Sequence, residues 1–321
     1  MTKKERVIAA IEQKDLDGIP SSFSLHFPDG EKRGEAGVKA HLDFFRETDA
    51  DVCKIMNENL IPVFGTIHTP EDYDRLIPVI TMDDDFMKNQ MEMTKKILEN
   101  CDKDVFTMGT LHGICASGIH PIEQAGVNYY AARQMQVDFL RWDEKKMLSA
   151  MERITDVLCE LAESYIKAGL DSVYYAALGG EHEFFTDEEF AKWIKPFDLR
   201  VLKAIQDAGG YSFLHICKDH LNMERYRDYS VYADVVNWGV YEAPFSLEMG
   251  KELFAGKTIM GGLPNHHGAL VEGSKTEIEA EVKKVVDTFG RKGLILGADC
   301  TLSTQQDRTK VRMAVEAARN C

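Results

Sequence analysis

The sequence predicts an α/β protein, a single (β/α)8 barrel, or TIM barrel, formed by residues 1–321 as one domain. Eight short runs rich in β-branched and aromatic residues recur along the chain, and a helical pattern or a long loop follows each of them. This alternation is typical of parallel strands joined by crossover helices. The length of 321 residues suits one such barrel with insertions, and the apolar content of 44% suffices for a full core.

The predicted elements follow one another in a regular order. The strands cover residues 19–27, 50–56, 105–111, 170–178, 211–217, 233–239, 257–262 and 293–299. The clearest helical patterns lie at 186–208, 275–290 and 306–319. An amphipathic helix is expected at the N-terminus, Gly169 is suited to end the helix before the fourth strand, and Thr186 is suited to begin the next helix.

An open, doubly wound sheet is the alternative fold for the same alternation of elements. That fold usually carries a G-x-G-x-x-G turn after its first strand. Residues 26–37 read HFPDGEKRGEAG, which contains glycines but not this spacing. The barrel is therefore the better prediction, and in a barrel the catalytic groups lie at the carboxyl ends of the strands.

Charge and cysteine content narrow the possible functions. The net charge of −15 and the pI near 5.2 argue against binding to nucleic acid or to an anionic membrane surface. The N-terminal segment lacks the apolar core of a signal peptide, and no later stretch is long and apolar enough to span a bilayer, so we expect a cytoplasmic location. Seven scattered cysteines fit reduced thiols better than a disulfide framework.

Polar side chains close most of the predicted strands. They are His26, Asn57, Glu58, His112, Cys115, Glu181, His182, His215, Cys217, Asn237, His266, His267 and Cys300. Imidazole nitrogen and thiolate sulfur are the donors that zinc prefers. The set therefore contains a candidate metal site as well as candidate substrate contacts.

The fifth predicted strand ends in FLHICKDH, residues 213–220. His215 and Cys217 are two residues apart, so their side chains point to the same side of a strand. Together with Cys300, after the eighth strand in LGADCTLS, they could bind one metal ion. Two other interpretations remain open: a thiol nucleophile with its base, for which parallel side chains are poor geometry, and two residues that simply pack in a core.

Other strand-end residues are candidates for roles in catalysis or substrate binding. Glu181 is a candidate acid–base group or fourth metal ligand, and His182 is a candidate for proton transfer. His26, Asn57 and Asn237 are candidate substrate-binding residues. His26 is equally suited to a hydrogen bond at the mouth of the barrel.

Three blocks of the sequence resemble the uroporphyrinogen decarboxylase superfamily. They are KKERVIAAIEQKDLDGIP at 3–20, LCELAESYIKAGLDSVYY at 158–175 and GGLPNHHGALVEGSKTEIEAEVKKVVDTFGRKGLILGADC at 261–300. The resemblance extends along nearly the whole chain. It implies a uroporphyrinogen decarboxylase-like (β/α)8 barrel, in agreement with the strand count.

True uroporphyrinogen decarboxylases carry features that this sequence lacks. After their first strand they have an arginine-rich RQAGRY stretch, whereas residues 24–37 here read SLHFPDGEKRGEAG. Met56 stands where these enzymes have an aspartate, and GADC at 297–300 replaces the stretch with their histidine. Decarboxylation of uroporphyrinogen is therefore the alternative function.

The sequence is more similar to a second branch, the zinc-dependent methyltransferases that work with corrinoid proteins, such as those that methylate coenzyme M. The signature of this branch is H-x-C on the fifth strand and a cysteine after the eighth, which His215, Cys217 and Cys300 match. The resemblance implies Zn²⁺ at these residues, a corrinoid (cobalamin) protein as partner and a small thiol or methyl donor as substrate. Lys218 departs from the branch, which often has glycine there.

Three classes of function remain at this point. The first is a zinc-dependent corrinoid methyltransferase of one-carbon metabolism. The second is a zinc-free decarboxylase or lyase on the same barrel, and the third is a non-catalytic binding protein that has kept the fold.

Overall fold

Each of the eight apolar runs contains a strand in the computed structural model, which describes all residues 1–321. Strands β1 to β8 are Ser21–Ser22, Val52–Ile55, Phe106–His112, Ser172–Ala177, Tyr211–Ile216, Val235–Trp238, Thr258–Leu263 and Leu294–Ala298. All pairings are parallel, and the hydrogen-bonded order is β1-β8-β7-β6-β5-β4-β3-β2. The predicted (β/α)8 fold class is confirmed.

Thirteen α-helices accompany the barrel. Helices α1 to α13 are Lys3–Ile11, Gly34–Thr48, Pro70–Leu76, Asp85–Asn100, Ile114–Glu123, Tyr129–Trp142, Glu144–Lys167, Asp187–Trp193, Lys195–Asp207, Leu247–Leu253, Ala269–Glu272, Lys275–Phe289 and Arg308–Arg319. Two 3₁₀ helices, Asp29–Glu31 and Met223–Val231, lie in the loops after β1 and β5. No helix combines the length and the apolar composition needed to cross a membrane.

The barrel closes between β1 and β2 through Asp51, which uses both its backbone and its side chain. Its backbone N–H donates to the Ser21 carbonyl at 3.1 Å, and its carboxylate accepts from the Ser21 backbone N–H at 3.0 Å and hydroxyl at 2.9 Å. The Arg6 guanidinium of α1 donates to the second carboxylate oxygen at 2.6 Å. A side chain thus supplies the pairing that the two-residue strand β1 is too short to supply.

Two sequence predictions differ from the structure in their extent. The first strand was expected over 19–27, but beyond Ser22 the chain leaves the sheet and pairs only at the bridge between Leu25 and Leu302. The helical pattern over 186–208 forms two helices, because Pro196 lies in the first turn of α9 and begins a new helix there. Thr186 caps α8 as predicted.

The interior of the barrel changes from apolar to polar along its axis. Val52, Phe213, Val235 and Ile295 pack together in the lower half, and α1 covers them from the amino ends of the strands. Two residues further along β2, β5 and β6, the inward positions carry Lys54, His215 and Asn237. Alternation along each strand therefore brings polar groups to one layer near the carboxyl ends.

Candidate metal centre

His215, Cys217 and Cys300 converge at the carboxyl end of the barrel. The Cys300 Sγ lies 3.4 Å from the His215 Nε2 and 4.0 Å from the Cys217 Sγ. All three donor atoms lie within 4.8 Å of one another. Zinc binds sulfur at about 2.3 Å and nitrogen at about 2.0–2.1 Å, so ligands of one tetrahedral ion are separated by about 3.5 Å. The spacing of the three atoms suits a single ion.

The strand ladders determine where these side chains lie. The Cys217 N–H donates to the Ala177 carbonyl at 3.0 Å, so the β4–β5 ladder continues through the cysteine. His215 and Cys217 therefore keep the same face of β5. The Asp299 N–H donates to a carbonyl at the end of β7 at 2.8 Å, and this bond fixes the start of the loop that carries Cys300.

The His215 ring directs one of its nitrogens toward the other candidate ligands. The Tyr174 ring stacks on the His215 imidazole with 5.3 Å between ring centroids and 20° between planes. The Nε2 atom faces Cys300, while the buried Nδ1 atom has no hydrogen-bond partner. Two sulfur donors and one imidazole nitrogen form a donor set that fits zinc and leaves one of four positions for a substrate.

The two thiols titrate as a pair. Their hydrogen bond lowers the pKa of Cys300 well below its ordinary value, and the neighbouring His215 acts in the same direction. The same hydrogen bond, together with burial, raises the pKa of Cys217. Because both sulfurs must be thiolates to bind a metal, metal binding releases the remaining proton of the pair.

Sequence analysis missed Lys54, which lies in the same layer of the barrel. Its Nζ donates to the Ser24 hydroxyl at 3.2 Å and lies 3.4 Å from the centroid of the Tyr174 ring. The residue is 4% exposed, and burial lowers the pKa of its ammonium group to about 8. The sequence does contain a sign of this residue: a lysine within the strand run ADVCKIM, two positions after Val52, so that both side chains point into the barrel.

Comparison with known proteins identifies the family. The model of the family described as uroporphyrinogen decarboxylase (URO-D) matches residues 52–321. The chain belongs to the URO-D family. No curated protein sequence matches it significantly.

Solved structures with the same fold span nearly the whole chain. A methyltransferase from Methanosarcina mazei aligns over 100% of this chain and 98% of its own, with a TM-score of 0.81 and 16% identity. A B12-independent methionine synthase from Shewanella sp. W3-18-1 covers 94% and 97%, with a TM-score of 0.63 and 12% identity. A putative vitamin-B12 independent methionine synthase from Listeria monocytogenes covers 88% and 85%, with a TM-score of 0.56 and 12% identity. At these identities the likeness shows the fold.

Asn237 lies beside His215, one of the candidate metal ligands, in the same layer of this URO-D barrel. Its amide nitrogen donates to the carbonyls of Met260 at 3.0 Å and Ala298 at 3.3 Å. Its amide oxygen accepts from the Tyr174 hydroxyl at 2.9 Å. These bonds orient the tyrosine that stacks on His215, and the role predicted for Asn237 in substrate binding stays a prediction.

His26 and Asn57 lie in the loops after β1 and β2. The His26 Nδ1 is 2.6 Å from the Glu58 carboxylate, and half of the histidine side chain is exposed. Asn57 is buried, and its side-chain oxygen accepts from the Asn59 N–H at 3.1 Å. Of these two predicted substrate-binding residues, His26 is the one with a solvent-accessible side chain.

Glu181 and His182 follow β4 and have opposite environments. The Glu181 carboxylate is buried, with the Arg133 guanidinium at 3.3 Å and the Gly179 N–H at 2.8 Å. His182 is exposed, and its backbone N–H donates to the His220 carbonyl at 3.1 Å. Both predicted catalytic roles stay predictions, and Arg133 is a partner of Glu181 that the sequence did not indicate.

Lys218 is not the glycine that the methyltransferase branch often has at this position, but its backbone adopts a conformation that glycine favours. Its φ of +86° lies in the left-handed region that favours glycine, which is the residue often found at this position in the methyltransferase branch. Its Nζ lies 4.2 Å from the centroid of the Tyr129 ring. The contact is a cation–π interaction, and the charge of Lys218 also opposes the rise that burial causes in the pKa of the Glu123 carboxyl.

Proposed function

We propose that this URO-D family protein is a zinc-dependent methyltransferase. It would move a methyl group between a corrinoid (cobalamin) protein and a small thiol or methyl donor. The observation that carries the proposal is the convergence of the His215 Nε2 with the Cys217 and Cys300 sulfurs. The name of the similar Methanosarcina mazei protein, a methyltransferase, supports this class of reaction.

The corrinoid partner is supported by a separate argument. The similar proteins from Shewanella and Listeria are named as B12-independent methionine synthases, so their names support methyl transfer but not a corrinoid. The corrinoid part of the proposal rests on the match of His215, Cys217 and Cys300 to the signature of the corrinoid-dependent branch.

Each residue of the centre has a role in this proposal. His215, Cys217 and Cys300 would hold zinc, which when bound acts as a Lewis acid toward the sulfur, oxygen or nitrogen of the substrate. Tyr174 fixes the plane of the imidazole by stacking on it. The apolar lower half of the barrel closes the amino end, so substrate and carrier protein must approach from the carboxyl end.

Proton transfer in this scheme is assigned to His182, with Glu181 as a second group. A thiol acceptor must lose its proton to be methylated, and an exposed imidazole can pass that proton to solvent. Glu181 carries a negative charge balanced by Arg133, and the two form a fixed ion pair behind Cys217.

Decarboxylation of uroporphyrinogen is the alternative function. A tetrapyrrole with eight carboxylates needs free cationic groups at the barrel mouth. The buried arginines of these loops are already engaged: Arg133 with Glu181, and Arg225 with Asp187 at 2.8 Å and with backbone carbonyls. Lys54 has no acidic partner, but one such cation is too few for eight carboxylates. This arrangement favours the methyltransferase over the decarboxylase.

An anaerobic assay separates the two functions. Methylcobalamin and cob(I)alamin differ in their visible spectra, so methyl transfer to a panel of thiols, or from methoxy and methylamine donors, can be followed directly. We expect transfer that is lost when zinc is removed and restored when zinc is added, with faster rates for a corrinoid carrier protein than for free cobalamin. Coproporphyrinogen formed from uroporphyrinogen at a rate that ignores zinc removal would overturn the proposal.

A further inference from the structure

We propose that Lys54 is the anion-binding residue of this centre. Its buried ammonium group supplies the positive charge that balances an anionic sulfur bound beside His215, Cys217 and Cys300. This inference rests on the proposed function, and it assigns a role to a residue that the metal-ligand pattern does not include.

The first argument is that Lys54 has no acidic partner inside the protein. It is 4% exposed, and its ammonium group contacts only the Ser24 hydroxyl and the face of the Tyr174 ring. No carboxylate forms an ion pair with it, whereas the buried Arg133 pairs with one carboxylate and Arg6 with two. The negative charges that act on it are the two cysteine thiolates, and a zinc ion on those sulfurs would cancel their charge. The buried ammonium group would then need another anion, because an uncompensated buried charge is costly.

The second argument is the position of Lys54 relative to the candidate ligands. The Tyr174 ring contacts both groups: its centroid is 3.4 Å from the Lys54 ammonium group and 5.3 Å from the centroid of the His215 imidazole. The His215 Nε2 is in turn 3.4 Å from the Cys300 sulfur. The stack therefore runs from β2 through β4 to β5 and places a positive charge in the layer where the donor atoms converge.

The charged groups around Lys54 agree with this role. The thiolates of Cys300 and Cys217 are the negative charges that act on its pKa, and they oppose the lowering caused by burial. From β3, the His112 imidazole faces the same space, and burial lowers the pKa of this histidine to about 4, so it brings no positive charge at neutral pH. Lys218 also acts on the Cys217 thiol, but it belongs to the loop after β5 and its ammonium group lies over the Tyr129 ring. Lys54 is the buried cation inside the barrel on which both cysteines act.

The charges of a zinc-loaded centre also favour an anion in the remaining position. One Zn²⁺ ion, two cysteine thiolates and a neutral imidazole sum to zero. A neutral ligand in the remaining position would leave the ammonium group of Lys54 unbalanced, while a thiolate would bring one negative charge to pair with it. The thiol would release its proton to solvent as the sulfur binds, and no electrons would be transferred.

Two probes distinguish this role from a purely structural one. The zinc-loaded full chain is titrated with 2-mercaptoethanol, whose only ionisable group is its thiol, and separately with imidazole as a neutral ligand. Calorimetry gives the Kd of each probe, and an indicator dye in weak buffer gives the protons released. Lys54→Met and Lys54→Gln remove the charge, and Ser24→Ala is the matched control that removes the hydrogen-bond partner but keeps the charge.

We expect wild type to release about one proton for each thiol bound near neutral pH. Both Lys54 variants should keep their zinc, bind 2-mercaptoethanol about tenfold or more weakly, and need a higher pH for half-maximal binding, because an opposite charge nearby favours the anionic form by one or more pKa units. Binding of imidazole should be unchanged in these variants. Ser24→Ala should bind 2-mercaptoethanol within about twofold of wild type.

Several results would overturn this inference. Lys54 variants that bind 2-mercaptoethanol as tightly as wild type, or that lose affinity for both probes equally, would contradict the charge-balancing role. If both Lys54 variants failed to fold, wild type that binds dimethyl sulfide, a neutral sulfur ligand, as tightly as 2-mercaptoethanol would contradict it. If wild type binds zinc and transfers methyl groups while these results are obtained, only the role of Lys54 fails. Wild type that binds no zinc would overturn both proposals.

Discussion

At the scale of single residues, Cys300 is a position where a substitution should affect metal binding more than the stability of the barrel. It lies in the loop after β8, is partly exposed, and makes its polar contacts with Cys217 and His215. The apolar side chains of the strands and helices form the core without it. Its removal should therefore affect the metal more than the fold.

We predict that Cys300→Ser loses most of its zinc and its methyl transfer activity while its unfolding temperature changes little. A serine hydroxyl is a much weaker zinc ligand than a thiolate. Elemental analysis and thermal unfolding measure the two effects, and Cys159→Ser, at a partly buried position on α7, is the matched control. A Cys300→Ser protein that unfolds at a much lower temperature but transfers methyl groups normally would make Cys300 a core residue.

Asp198 gives a pH dependence that is independent of the metal site. This fully buried carboxylate accepts hydrogen bonds from the Tyr175 and Tyr229 hydroxyls, and burial raises its pKa to about 7. Between pH 4 and 7 the folded protein therefore holds a proton that the unfolded chain has released. The contribution of Asp198 to stability is then largest below pH 4 and is lost as the pH rises through 7.

We predict that Asp198→Asn removes this part of the pH dependence. From pH 5 to pH 7, wild type should lose on the order of 2 kcal/mol more of its free energy of unfolding than the variant loses, at about 1.4 kcal/mol for each pKa unit. Urea unfolding at the two pH values measures this difference. Equal losses in the two proteins would mean that Asp198 is ionised at pH 5 in the folded state.

The candidate metal ligands could be predicted from the sequence, whereas their surroundings could not. The H-x-C spacing places His215 and Cys217 on one face of a strand, and this holds for any strand. Lys54 and Arg133 were missed because their importance depends on which side chains from other elements lie beside them. Tyr174 was missed as a stacking partner of His215 for the same reason, since the β4–β5 pairing creates that contact.

At the scale of elements, the junction of β1 and β2 is where the barrel depends on a single side chain. Asp51 joins Ser21 of β1 and Arg6 of α1 through its two carboxylate oxygens, and it is fully buried. Removing one member of a buried ion pair leaves the other charge uncompensated. The closure of the barrel should therefore be sensitive to this residue.

We predict that Asp51→Ala lowers the free energy of unfolding by about 3–5 kcal/mol. Asp15→Ala is the control, because Asp15 also pairs with a cation, Lys292 at 3.2 Å, but its side chain is 93% exposed. Exposed ion pairs contribute about 0–1 kcal/mol, so this control should differ little from wild type. Denaturant unfolding of both variants tests the prediction, and similar stabilities would show that Asp51 is not needed for closure.

Element types were more predictable than element lengths. Six strands lie within the runs predicted for them, and β3 and β7 each end one residue later, because apolar, β-branched runs between helices are a strong local signal. The first strand ends early because the loop after Ser22 pairs with the loop that follows β8, which is a tertiary contact. Pro196 is a local signal for the break between α8 and α9, which the prediction of one helical pattern over 186–208 does not take into account.

At the scale of the whole molecule, the residues that stabilise the barrel and the residues of the candidate site lie in different halves along its axis. Large apolar side chains fill the half that α1 covers, and the polar layer with Lys54, His215 and Asn237 lies above them. The carboxyl ends of the strands are therefore the face available to a substrate, and to the carrier protein that we propose. The net charge of −15 indicates that a carrier protein with a basic docking face would be attracted to this molecule.

The central claim is that His215, Cys217 and Cys300 hold one zinc ion, and anomalous X-ray scattering tests it most directly. Crystals of the untagged protein, purified without chelator, would be measured just above and just below the zinc absorption edge. We expect one peak per chain, present only above the edge. It should lie about 2.0–2.3 Å from the His215 Nε2 and the two cysteine sulfurs. No zinc peak among these three atoms, in a protein with the fold described, would contradict the claim.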